Sequence, residues 1–205
     1  TDGWYPSGSV NEDDKLTPTG ALLKATLINS AWSMSGEYTD GAIPSTGQGW
    51  GKINLDNTLY FDGESRKLNV LNNGSSSGLS SSGDSHEYLL SIDENQDLKI
   101  TLVWTDYPGS ALQNDLNLMV ESPNGEVFKG NVFSDGYSTT GGNFDSKNVS
   151  EQIILNQTYI QEGKYRIKVV ADSISHGPQK YALLASGNVE TSIDTIEFKH
   201  DKYNI

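Results

Sequence analysis

Apolar residues recur at every second position through Leu98, Ile100, Leu102 and Trp104, and again through Tyr165, Ile167 and Val169. A period of two confines such segments to extended strands with one buried side and one wetter side. From Lys67 onward the same pattern predicts strands over Lys67–Leu71, Glu87–Ile92, Leu98–Trp104, Leu116–Glu121, Glu126–Val132, Gln152–Leu155, Lys164–Val170 and Tyr181–Ala185, with Thr191–Phe198 as a ninth. The strands are short and bounded by turn residues, with no helical pattern between them. This points to a mainly β chain folded as an antiparallel β-sandwich or jelly roll. Pro123-Asn124-Gly125 predicts a hairpin, because Asn-Gly tolerates positive φ.

The first third of the chain reads differently. Residues 1–15 are polar and predict a loop. Thr17 offers an N-cap hydroxyl and Pro18 suits a first helical position, while Leu23, Leu27 and Ala31 fall four apart, so a short helix of about three turns is expected there. Ser33–Gly51 is rich in Gly, Ser and Thr and predicts a long connection, with Trp50 between two glycines as an anchor in a core. Asn72–Gly83 has the composition of a flexible loop inside the β-region.

With no cysteine among 205 residues, disulfides, zinc–thiolate sites and cysteine nucleophiles are excluded. A net charge of −13 argues against nucleic acid and anionic membrane partners, and no apolar run is long enough to span a bilayer. Sequons stand at Asn73, Asn148 and Asn156. Gly74-Ser75-Ser76-Ser77-Gly78 matches the nucleophile-elbow pattern in letters only, since a buried strand and a helix do not flank it. His86, His176 and His200 lie in no motif and are expected on the surface or in loops. Asp93–Asp97 begins like an EF-hand loop, but Leu98 stands at the glycine position and Trp104 at the twelfth, so it reads as a turn.

Oxygen-bearing side chains gather at strand ends: Asp106, Asn114-Asp115, and Asp145 through Asn148 to Glu151. Calcium takes six to eight oxygen ligands, and a cation is what lets like-charged carboxylates converge. The alternative is that these Asp and Asn side chains cap turns through backbone N–H groups.

Leu22-Leu23-Lys24-Ala25, Gly47-Gln48-Gly49-Trp50-Gly51 and Leu102-Val103-Trp104-Thr105-Asp106 follow the order of similar phrases in subtilisin-like serine proteases. Residues 16–187 thereby resemble the last helix and closing segment of a subtilase catalytic domain, up to about Phe61, followed by that family's β-domain. The resemblance implies a short N-terminal α-helical remnant of a catalytic domain over 1–61 and a β-sandwich over 62–205. It implies a secreted subtilisin-like endopeptidase as parent, with its own catalytic domain as partner and protein substrates reached through the whole enzyme. In that family the catalytic Asp, His and Ser precede this helix, and a Gly-Thr-Ser-Met-Ala-like segment is not found here, so the chain alone is expected not to cleave peptides. Related β-domains often carry calcium. The expected ligands here are Asp106, Asp115, Asp145, Asn148 and Glu151. Two other readings have their own marks. An independent jelly-roll module for carbohydrate or protein would expose aromatics such as Tyr107, Tyr137 or Trp50 beside polar side chains. A nicked protease whose catalytic half is a separate chain would leave an apolar patch around Leu23 and Leu27.

Overall fold

A computed structural model describes residues 6–13, 15–36, 42–61, 63–72, 78–93 and 96–190, and the backbone of 194–200. Among the described residues one α-helix, α1 (Gly20–Ser30), and a 3-10 turn at Leu55–Asn57 precede ten strands: β1 (Lys67–Asn72), β2 (Asp84–Ile92), β3 (Leu98–Trp104), β4 (Asn114–Glu121), β5 (Val127–Ser134), β6 (Tyr137–Thr140), β7 (Ser150–Leu155), β8 (Gly163–Ile174), β9 (Tyr181–Gly187) and β10 (Asp194–His200). Eight of the expected strands lie within a few residues of their expected bounds. The ninth appears as β10, its expected first three residues lying outside the described ones. β6 was not anticipated, because Tyr137-Ser138-Thr139-Thr140 is polar and buries only Ser138.

The strands form two antiparallel sheets, one in the order β1-β9-β3-β7 and the other β10-β2-β8-β4-β5-β6. The hairpin at Asn124-Gly125 joins β4 to β5, with Gly125 at φ 83°. Between the sheets, Leu98, Ile100, Leu102 and Trp104 of β3 pack with Leu116, Leu118 and Val120 of β4 and with Tyr165, Ile167 and Val169 of β8. This is the core that the alternation foretold.

The expected wet faces are largely dry. β4 is buried at all but its last residue, and β7 and β9 throughout. On the four-stranded sheet the cause is α1, whose Leu22, Ala25 and Ile28 form a second apolar cluster with Leu68, Val103, Ala182 and Leu184. Burial of a side chain such as Leu22 is worth about 1.5–3 kcal/mol. The boundary expected at residues 61/62 therefore has packing across it. On the six-stranded sheet, Glu87 and Lys168 form a buried ion pair at 3.4 Å.

The helix begins two residues later than expected. Its N-cap is Thr19, whose Oγ1 accepts from Leu22 N at 3.1 Å. Asn72, at the end of β1, sets this start: it accepts from Thr19 Oγ1 at 2.7 Å and donates to the Thr17 carbonyl at 2.9 Å. Leu23 and Leu27 do share a face, but it points away from the sheet. Trp50 is half-buried against the second cluster and meets Phe133 edge-on at 6.4 Å. Its neighbour Gly51 must be glycine, since φ is 97° and a Cβ would stand 2.2 Å from the Trp32 carbonyl oxygen.

Trp104 is 1% exposed and its indole N–H donates to the Asn114 carbonyl at 3.0 Å. Trp104→Ala is expected to destabilise the fold by about 3–5 kcal/mol. A shift in urea midpoint worth less than about 1 kcal/mol would contradict that placement.

Candidate functional site

The β4–β5 ladder runs only from Met119↔Lys129 to Glu121↔Val127. Beyond Lys129, β5 turns toward β7, and Asn131 sits at φ 61°, a conformation asparagine tolerates better than most residues. The side chain of Asn131 then serves the free edge of β7: Oδ1 accepts from Gln152 N at 2.9 Å, and Nδ2 donates to the Ser150 carbonyl at 2.9 Å and to Asp145 Oδ2 at 2.6 Å. Ser138 Oγ of β6 accepts from Ile154 N at 2.9 Å. Side chains thus finish what a fifth strand would have paired.

Glu151 crosses the same gap in the other direction. It is fully buried, and its Oε2 accepts from Leu118 N of β4 at 2.6 Å. Its Oε1 is buried with no hydrogen-bond partner. Gly130 leaves the room, because a Cβ there would stand 2.2 Å from Oε2. Burial pushes the Glu151 carboxyl well above the usual carboxylate range, with the Leu118 N–H opposing, and the nearby Asp145 and Asp115 charges adding to the rise.

The five residues expected to hold calcium divide into separate roles. Asp106 accepts from the backbone N–H groups of Tyr107, Gln113 and Asn114 at 2.8, 2.7 and 2.9 Å, and so closes the β3–β4 loop. Asp145 accepts from Lys147 N, Asn148 N, Asn148 Nδ2 and Asn131 Nδ2; despite the opposing effect of burial, these bonds hold its carboxyl below the usual range. Asn148 is a donor to Asp145. Asp115 is buried in β4 and, with Asp145, is an electrostatic neighbour of Glu151. Among the described residues no group of three or more His, Cys, Asp or Glu side chains is gathered to hold a metal ion. What remains is narrower: the buried Oε1 of Glu151, which has no hydrogen-bond partner. Of the sequons, Asn148 is exposed, Asn156 opens the β7–β8 turn, and Asn73 lies outside the described residues, as does most of the Gly74–Gly78 match.

His86 is not a surface histidine. It is 2% exposed on the core side of β2, with Nδ1 2.5 Å from the Tyr181 hydroxyl, which lies 2.5 Å from the Tyr88 hydroxyl. The phase of β2 carries the signal, since His86 alternates with Tyr88, Leu90 and Ile92. Burial lowers the His86 imidazole to about 4, against a smaller upward pull from Asp84. His176 is exposed and its ring stacks on Tyr107 at 4.9 Å. The side chain of His200 lies outside the described residues.

The remaining feature is the outward side of α1. Leu23 is 52% exposed and Leu27 43%, and Trp32 and Met34 follow them with exposed side chains. The helix is therefore apolar on both sides, one covered by the sheet and the other bare. No helix among the described residues is long and apolar enough to cross a membrane.

No family model matches the chain. Three proteins of Dictyostelium discoideum are similar to it over most of its length. They are named serine protease/ABC transporter B family proteins. To tagD it is 29% identical over 234 residues, which is 91% of this chain and 13% of that protein. To tagA it is 30% identical over 193 residues, 89% of this chain and 11% of the relative, and to tagB 27% over 232 residues, 91% and 12%. The chain spans about an eighth of the length of these relatives.

The histidine yields a pH test. An unfolded histidine titrates near 6.5 whereas His86 holds out to about 4, so the unfolded chain takes up the proton first as pH falls. Its contribution is complete above about pH 6.5 and is lost between there and pH 4, the loss amounting to at most about 2 kcal/mol by pH 5. Urea midpoints at pH 7 and pH 5 should separate more in wild type than in His86→Gln. Parallel changes in the two proteins would show that His86 does not titrate this way.

Proposed function

We propose that this chain is the C-terminal region of a larger, secreted subtilisin-like serine endopeptidase, and that it stabilises the catalytic domain without performing catalysis. The observation that carries the reading is α1, which buries one apolar side on the β-sandwich and leaves Leu23 and Leu27 exposed on the other. A helix at the rim of a two-layer fold has no physical reason to keep leucines in water at adjacent turns, whereas a helix shared by two domains needs both sides apolar. The remainder of a protease domain is the occupant this reading assigns to the bare side. The serine protease element in the relatives' names supports it, as does the small share of those proteins that the chain spans. Peptide hydrolysis needs a nucleophile, an orienting base and an oxyanion donor in one place. Here the His86 ring is engaged by Tyr181 and the His176 ring by Tyr107.

A fluorophosphonate probe tests the division of labour. The isolated chain is expected to stay unlabelled and to leave peptides uncleaved, while the longer gene product labels at a serine upstream of α1. Labelling of a unique serine inside the chain, accompanied by peptide cleavage, would overturn the proposal.

Calcium forms a second, separable part of the reading, favoured by the partnerless buried Oε1 of Glu151. Glu151 would anchor the ion, with amide or main-chain oxygens completing the shell, and the ion's charge would offset the upward push that Asp145 and Asp115 exert on the Glu151 carboxyl. Binding to the folded state alone would add about 2.7 kcal/mol at a hundredfold excess over Kd, several degrees in melting temperature. Wild type and Glu151→Gln melted in calcium and in chelator at matched ionic strength provide the test. The gain should appear in wild type and vanish in the variant; coincident wild-type curves would remove the ion from the account.

A further inference from the structure

A cleft of about 570 Å³ opens between the β4–β5 turn, the β5–β6 hairpin and the β7–β8 turn, on the flank where Asn131 and Ser138 close the sandwich. Its size is that of a small-molecule site rather than of a crevice between side chains. Two tyrosines stand in its walls: Tyr159 is 82% exposed and Tyr137 36%. The side chains around them are nearly all hydroxyls, amides and carboxylates, among them Asn124, Glu126, Asn156 and Gln161.

The walls are fixed in advance. Asn156 accepts from the backbone N–H of Tyr159 at 2.9 Å and of Ile160 at 3.2 Å through its carbonyl, and its side-chain Oδ1 accepts from Thr158 N at 2.8 Å. The Tyr137 hydroxyl lies between Asp97 Oδ2, at 3.5 Å, and the side chain of Asn156. Glu126 Oε2 accepts from Asn124 Nδ2 at 3.2 Å within the β4–β5 turn. Beneath them the floor is Tyr165 and Leu155 of the core. A ligand entering this cleft would order little that is not already ordered.

We propose that this cleft binds a neutral oligosaccharide. Exposed tyrosine rings offer flat faces to the C–H faces of pyranose rings, while paired amides and carboxylates match vicinal hydroxyls as donors and acceptors. Peptide recognition is less well served, since the cleft presents no exposed aliphatic pocket for an anchoring side chain and the nearby β7 amide at Ile154 already donates to Ser138. Anionic sugars are disfavoured by Glu126 and Asp135 in the lining and by the net charge of −13. The proposal does not depend on the protease reading.

Calorimetric titration of the chain with cellohexaose, laminarihexaose and N-acetylated chitohexaose tests it. At least one is expected to bind with Kd below about 1 mM. Tyr159→Ala should weaken that binding roughly tenfold or more, and Gln161→Ala should weaken it too, with melting temperatures unchanged because both side chains are exposed. Tyr107→Ala, an exposed tyrosine outside the cleft, should bind as wild type does. Absence of binding by all three sugars at about 10 mM would overturn the proposal. So would binding indifferent to Tyr159→Ala, or saturation of the cleft by casein peptides but by none of the sugars.

Discussion

Asn29 ties the molecule together. It is fully buried near the end of α1, where an asparagine is neither a good helix former nor an apolar filler. Its Oδ1 accepts from the hydroxyls of Thr58 at 2.7 Å and Ser186 at 2.6 Å, and its Nδ2 donates to the Lys99 carbonyl at 3.2 Å and to Thr101 Oγ1 at 3.1 Å. One amide thus links the helix, the segment after it and strands β3 and β9, with acceptor and donor capacity both used. The Lys99 ammonium follows, donating to the carbonyls of Asn29 at 3.3 Å and Ala31 at 2.8 Å where α1 ends. Burial lowers that amine to about 8.

This knot makes α1 a layer of the fold rather than an appendage. The four-stranded sheet has the main core on one side and α1 on the other, which is why β9 is buried at every residue. Because the helix is rigidly seated, the leucines it turns outward are held in place and not free to fold back. A fixed apolar surface suits a docked neighbour, and on the proposed reading that neighbour is the catalytic domain of the same polypeptide. The opposite flank solves a different problem, the open edge of β7, and does so with side chains from β5 and β6. The turns that enclose the oligosaccharide cleft are by-products of that closure.

Strand positions were legible because a period of two is imposed by geometry, and the run Leu98–Trp104 is read without loss. Three things were not legible. Which side of a helix is buried cannot be read when both are apolar, so Leu23 and Leu27 were grouped correctly while their direction came only from the sheet. The start at Thr19 in place of Thr17 was set by Asn72, far along the chain. The buried polar residues Asn29 and His86 carry no motif, since their partners are brought in by topology; only His86 has one usable clue, its phase in β2. The carboxylates at strand ends were found from sequence. Asp106 and Asp145 nonetheless accept several N–H donors each, which is the capping role that sequence could not separate from ligation.

The direct test of a shared helix layer is native-state hydrogen exchange of Ala25 in α1 and Ile100 in β3, in wild type and Asn29→Ala. Removing the amide takes from the buried Thr58 and Ser186 hydroxyls the acceptor they share, and should cost at least about 2 kcal/mol. The account predicts that protection of both amides in wild type reports the same global opening, and that both fall by the same amount in the variant. If Ala25 already exchanges through a much cheaper local opening, and Asn29→Ala leaves Ile100 as protected as before, α1 is an appendage and the account is contradicted.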